Sequence, residues 1–222
     1  VILKAILFDF GGTLDADGVP WKERFFSLFR QEAGISADGF DRAFYDADDA
    51  LVGRIPRTTS LARTARRVAS GTAANLHLSD SLAAERVAER FLAEAFAKLE
   101  ESADLLSRLA LRFHLGVVSN FYGNLGTVCA ETGLAWSLSV TVDSAVIGLR
   151  KPDRRIFEAA LGSLGVQPEE TLMVGDSWPR DMEGAKAAGL GRVWVVPEGG
   201  DASVAEEDVR IIRRVLDLEA IL

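Results

Sequence analysis

The chain is predicted to fold as an α/β protein, a parallel sheet layered with helices and interrupted once by an all-helical insertion. Two observations predict this. Short apolar or β-branched runs alternate with helix-length segments, the order that a parallel sheet requires. The stretch between the first run and the second, residues 16–102, has almost no strand character and reads as helices.

The runs near residues 2–9, 113–119, 138–142, 171–175 and 192–196 are expected to be strands. Within the insertion, Trp21 to Ala33 places Trp21, Phe25, Leu28 and Phe29 at helical spacing, and Pro20 suits a first turn. Ala37 to Leu51, Thr58 to Ala69 and Ser79 to Leu99 repeat the pattern, the last through Leu82, Val87, Phe91, Ala95 and Leu99. Four such helices make a small bundle. Its links to the sheet are expected at Asp15-Ala16-Asp17-Gly18-Val19 and near Glu101-Ser102-Ala103, because the bundle must leave and rejoin at adjacent points. In the tail from Asp201 to Leu222, Val204, Val209, Ile212, Val215, Leu216 and Ile221 follow helical spacing and predict an amphipathic helix docked on the sheet.

With 222 residues, 48% of them hydrophobic and 26% charged, the chain can bury one sizeable core with an appended lobe. A formal net charge of −8 argues against a nucleic-acid or acidic-membrane partner, which needs a basic surface. The opening apolar run is too soon interrupted for a membrane span and lacks a signal-peptide layout. Cys129 is the sole cysteine, so no internal disulfide is possible, and a cytoplasmic setting is expected. His77 and His114 are isolated and read as structural. Arg54 and Arg57 flank a loop of the insertion and are weaker candidates for substrate contact.

Three runs stop at a polar residue: Ile6-Leu7-Phe8 at Asp9, Val117-Val118 at Ser119, and Met173-Val174-Gly175 at Asp176. In an open α/β sheet ligands sit beyond the carboxyl ends of the strands, so these residues should share one site. Asp9, beside the tight Gly11-Gly12 turn, is then a candidate nucleophile; the alternative is an ordinary turn or cap aspartate. Ser119 and the Asn120 amide open a helix and suit a phosphate, or simply cap it. Lys151, held extended before Pro152, could neutralise a phosphate or be a surface lysine. Asp181 could orient Lys151, accept from metal-bound water, or be a first-turn acid.

In this order the segments around Asp9, Ser119, Arg150-Lys151-Pro152-Asp153 and Gly175-Asp176 with Asp181 resemble the four motifs of the haloacid dehalogenase superfamily, over nearly the whole chain. The resemblance implies a Rossmann-like three-layer core of residues 1–15 and 103–222, with residues 16–102 as a helical cap domain. It implies a nucleophile at Asp9, cation support from Lys151, and phosphate contacts from Ser119, Asn120, Lys151 and Gly12. It further implies a Mg²⁺ held by Asp9, Asp176 and the Gly11 carbonyl, with Asp181 and Thr13 in support. Most members are Mg²⁺-dependent phosphatases, so the expected substrate is a small phosphorylated metabolite.

One position departs from the phosphatase pattern. The aspartate that those enzymes carry two residues after the nucleophile, as general acid and base, is here Gly11, leaving Asp15 or Asp17 as possible substitutes. Dehalogenases also lack that aspartate, but typically have tyrosine there and no need of the metal-binding acid. Phosphonate cleavage would need a cap lysine, and Lys22 and Lys98 stand at the wrong places. A phosphate-binding protein without turnover is the non-enzymatic alternative.

Overall fold

Alternation along each strand builds the fold. The computed structural model describes residues 2–80 and 82–222. Six parallel strands, β1 (Ala5–Phe8), β2 (His114–Ser119), β3 (Val140–Asp143), β4 (Thr171–Gly175), β5 (Gly191–Val195) and β6 (Val209–Ile212), form one sheet in the order β3-β2-β1-β4-β5-β6. With period two, Ile6, Phe8, Val117, Val174 and Val193 enter one apolar layer, while Ala5, Leu7, Val118, Met173 and Trp194 enter the other. The central strands β1, β4 and β5 are covered on both faces and mostly buried, as parallel strands are, while the edge strands β3 and β6 are partly exposed. The result is a Rossmann-like three-layer α/β arrangement.

Between β1 and β2 lie four helices, α1 (Trp21–Ala33), α2 (Phe40–Asp49), α3 (Leu61–Asn75) and α4 (Ala83–Leu109). Gly34, in the left-handed region at φ 64°, ends α1, and the Ser60 hydroxyl caps the start of α3. Aromatic rings fill their interior: Phe25 stacks on Phe91 with centroids 4.5 Å apart, and Trp21 meets Phe91 edge-on at 4.9 Å. The same apolar cluster continues into the sheet through Phe10, Phe121 and Phe8.

α4 corrects the expected second link. It runs unbroken through Glu101-Ser102-Ala103, so the chain rejoins the sheet inside a helix. Its 27 residues span roughly 40 Å at about 1.5 Å per residue. No Gly or Pro interrupts this Ala-, Glu- and Leu-rich run, and Val87 and Phe91 face the bundle while Leu105, Leu106 and Leu109 face the sheet. The Ser102 hydroxyl donates to the Leu14 carbonyl at 2.7 Å, tying the two crossings together. Leu82, counted in the apolar stripe, is exposed.

After β2 come α5 (Leu125–Glu131), α6 (Ser144–Ile147), α7 (Arg154–Leu164) and α8 (Glu183–Ala188). The tail is the second correction. Val209–Ile212 pairs with β5 as a sixth strand, and a 3₁₀ segment, Val215–Ile221, follows it. Val209, Ile212 and Val215 are three apart, which mimics a helical stripe, but the β-branched Val209-Arg210-Ile211-Ile212 run finds the open edge of β5. No helix among the described residues is long and apolar enough to cross a membrane.

Candidate active site

The register puts the polar strand ends side by side. β1 lies between β2 and β4, with Phe8 opposite Val117 and Val174, and the Asp9 amide donates to the Val174 carbonyl at 2.9 Å. Asp9, Ser119, Asn120, Lys151 and Asp176 thereby line one cavity of about 100 Å³. Asp181 and Thr13 stand behind it, both fully buried.

Asp9 Oδ1 accepts from the Phe10 amide at 2.7 Å and faces Lys151 Nζ at 2.7 Å. Lys151 Nζ also reaches Asp181 Oδ1 at 2.6 Å, and the Ser177 amide donates to Asp181 Oδ2 at 2.9 Å. Burial opposes the Lys151 ammonium, but the Asp181 and Asp9 carboxylates outweigh it and raise its pKa, so it stays charged. Asn120 holds the lysine's backbone: its Nδ2 donates to the Lys151 carbonyl at 3.1 Å, and the Lys151 amide donates to its Oδ1 at 2.8 Å. That side-chain role was not legible in the sequence, where only the Asn120 amide was considered.

Asp176 Oδ1 accepts from the Thr13 hydroxyl at 2.9 Å. Burial pushes its carboxyl well above the ordinary range, and the Asp9 and Asp181 charges add to the effect. Burial likewise takes Asp181 up to about 6 in spite of Lys151. Asp9, Asp176 and Asp181 each offer an oxygen within 4.8 Å of the others. The mutual repulsion of these carboxylates would be relieved by a cation, and hard oxygen donors so grouped fit a divalent cation of the Mg²⁺ type.

Gly12 is a correction. Its amide is taken by Asp15 Oδ1 at 2.7 Å, so it is not free for a phosphate. Glycine is nonetheless required there: φ is 91°, and a Cβ would lie 2.5 Å from Asp176 Oδ2. Gly11 has an ordinary φ of −77°, but a Cβ would lie 3.2 Å from the Trp21 indole nitrogen. The indole thus covers residue 11, the position at which the resemblance implies a phosphatase acid. Neither linker aspartate can replace it. Asp15 is buried, with Oδ2 receiving Trp21 Nε1 at 2.7 Å and Arg24 Nη1 at 2.8 Å. Asp17 pairs with Lys98 at 2.8 Å and accepts from the Val215 amide.

The insertion also contributes to the cavity. Trp21 from α1 and Asp48 from α2 line it beside Tyr122 and Arg180 of the sheet portion. The Tyr122 hydroxyl donates to Asp48 Oδ1 in a short hydrogen bond. Burial raises the Asp48 carboxyl despite that bond, and raises the Tyr122 phenol well above its usual value. Nothing in the sequence marked this pair, whose members are 74 residues apart. Arg54 and Arg57 do not line the cavity.

A family model described as haloacid dehalogenase-like hydrolase matches residues 3–189. Phosphoserine phosphatase of Thermus thermophilus is 42% identical over 95 residues, which are 40% of this chain and 37% of that protein. The chain therefore aligns with little more than a third of that relative. Phosphoglycolate phosphatase of Rhodospirillum rubrum is 32% identical over 196 residues, 84% of this chain and 77% of that protein. Among solved structures, a HAD phosphatase from Thermococcus onnurineus has a TM-score of 0.59 at 25% identity, covering 99% of this chain and 97% of that one. The L-2-haloacid dehalogenase of Xanthobacter autotrophicus shares the fold, with a TM-score of 0.59 at 20% identity over 99% of this chain and 98% of that one. Since the match runs from the first strand to the end of α8, the chain belongs to the haloacid dehalogenase-like hydrolase family.

Proposed function

We propose that the protein is a Mg²⁺-dependent phosphate monoester hydrolase that works through an aspartyl-phosphate on Asp9. The observation that carries this reading is the clustering, at the end of the central strand, of Asp9 with Lys151, which bridges Asp9 and Asp181, and with the Asp176 carboxylate. Asp9 Oδ1 is held by Lys151 and the Phe10 amide, while Oδ2 has no protein donor among the described residues. Oδ2 attacks phosphorus, and Lys151 and the Ser119 hydroxyl offset charge on the phosphate oxygens. Bound Mg²⁺ would supply further neutralisation between the attacking carboxylate and the phosphate. Asp9, Asp176 and the Gly11 carbonyl would hold it, with Asp181 fixing Lys151.

The names of the phosphoserine and phosphoglycolate phosphatase relatives, together with the small cavity, support a small phosphorylated metabolite as substrate. Residues 16–102 act as the cap in this reading, because Trp21 and Asp48 close the cavity from that side. A cytoplasmic setting suits a lone buried thiol. Dehalogenation is the competing chemistry, since dehalogenases share the fold and Gly11 removes the phosphatase acid. Phosphate release from a panel of monoesters with Mg²⁺, run beside halide release from 2-haloacids without metal, tests the choice. We expect phosphate release that Asp9→Asn abolishes; halide release alone would select the other chemistry, and neither would leave a binding protein.

A further inference from the structure

We propose that Asp48, held by Tyr122, is the proton donor to the leaving group, taking over from the helical insertion the function that Gly11 cannot perform. The inference rests on the phosphatase reading above. An in-line displacement puts the leaving oxygen on the far side of phosphorus from the nucleophile. Asp9 attacks from the sheet, so the leaving oxygen faces the insertion, and α2 brings Asp48 to the cavity wall.

The other carboxyls are committed. Of the three aspartates that line the cavity, Asp9 is the nucleophile and Asp176 is held by Thr13 within the carboxylate cluster. Asp181 is bound to Lys151 and the Ser177 amide, Asp15 to Gly12, Trp21 and Arg24, and Asp17 to Lys98. Asp48 is half-buried, with Oδ1 accepting from Tyr122 and Oδ2 without a protein donor among the described residues. Burial favours its protonated form and outweighs the Tyr122 hydrogen bond, which favours the carboxylate; the nearby charge of Asp49 adds to burial, and Arg150 and Arg180 oppose it. The pair exists because the insertion is docked: the Gly53 amide, just beyond α2, donates to the Tyr122 carbonyl at 3.0 Å.

The steps balance without a further reactant. As Asp9 Oδ2 bonds to phosphorus, the ester P–O bond breaks and the Asp48 proton passes to the departing alkoxide, giving the alcohol. Asp48, now a carboxylate, takes a proton from the water that attacks the acyl-phosphate. Inorganic phosphate leaves, and Asp9 and protonated Asp48 are restored.

The test compares wild type, Asp48→Asn and Tyr122→Phe on p-nitrophenyl phosphate and on the alkyl esters phosphoserine and 2-phosphoglycolate, with Mg²⁺ and with thermal melts to confirm folding. Because kcat/KM reports steps up to the first irreversible P–O cleavage, and p-nitrophenolate leaves without a proton, Asp48→Asn should lower aryl kcat/KM far less than alkyl kcat/KM. Alkyl kcat/KM should fall about 10²–10⁴-fold. Aryl turnover by Asp48→Asn should show a burst of p-nitrophenol followed by slow dephosphorylation, which wild type should not show. Tyr122→Phe, which keeps the carboxyl but loses its anchor, should show a smaller loss with the same alkyl bias. Equal losses on both ester classes, or no loss on either, would overturn the assignment. The underlying reading fails separately: it falls if wild type hydrolyses neither class, or if Asp9→Asn hydrolyses p-nitrophenyl phosphate at the wild-type rate.

Discussion

Asp9 and Asp176 differ in what an amide would cost them. Asp176→Asn removes one of the few anionic ligands available to a cation, so Mg²⁺ affinity should fall at least tenfold by calorimetry, with unchanged affinity removing this position from the metal site. Asp15 shows how much a buried charge network contributes. It pairs with Arg24, which also donates to the Phe91 carbonyl and lies over the Phe91 ring at 4.1 Å. Asp15→Ala would leave the buried Arg24 with only the half-exposed Glu94 carboxylate at 3.9 Å, and should lower unfolding stability by roughly 3 kcal/mol in a denaturant titration. A neutral result would mean that Arg24 finds another acceptor. Gly11→Asp carries the opposite expectation from a simple restoration of the acid. Its Cβ alone presses on the Trp21 indole, so the variant should lose stability and gain no alkyl-phosphatase activity; an active, fully stable variant would show that the indole yields. Cys129, fully buried with its thiol pushed up to about 12 mainly by burial, should resist alkylation at pH 8 until the protein unfolds.

At the scale of elements, the strands that position the site were legible because their signal is local. β4 runs from Thr171 to Gly175 as its apolar run predicts, and the polar residues at the strand ends follow from it. α4 and the tail were less legible for distinct reasons. Nothing in Glu101-Ser102-Ala103 breaks a helix, and the link was placed there only because the chain had to return to the sheet. β6 was hidden because apolar residues three apart satisfy a helix and a strand followed by a 3₁₀ turn equally well, and the edge of β5 decides between them. A proline at Ser102 separates a continuous helix from a flexible link. Ser102→Pro should cost about 3 kcal/mol or more, since it removes a helical hydrogen bond and the bond to Leu14, whereas a link would tolerate it.

Across the whole molecule, the sheet portion places Asp9, Lys151 and the carboxylate cluster, and the insertion contributes Trp21 and Asp48 to the cavity wall. Asp9, Ser119, Lys151 and Asp176 were readable because each closes a recognisable local motif. Trp21, Asp48 and Tyr122 were not, because their meaning depends on contacts between distant segments that periodicity cannot encode. The same division explains why the departure at Gly11 looked like a loss from the sequence alone. The central claim remains that Asp9 is phosphorylated during turnover. Its most direct test is acid quenching of the protein during p-nitrophenyl phosphate hydrolysis with Mg²⁺, followed by mass mapping of the phosphoryl adduct. We expect the adduct on the peptide that carries Asp9 and none in Asp9→Asn. Hydrolysis that continues at the wild-type rate in Asp9→Asn, or an adduct on another residue, would contradict it.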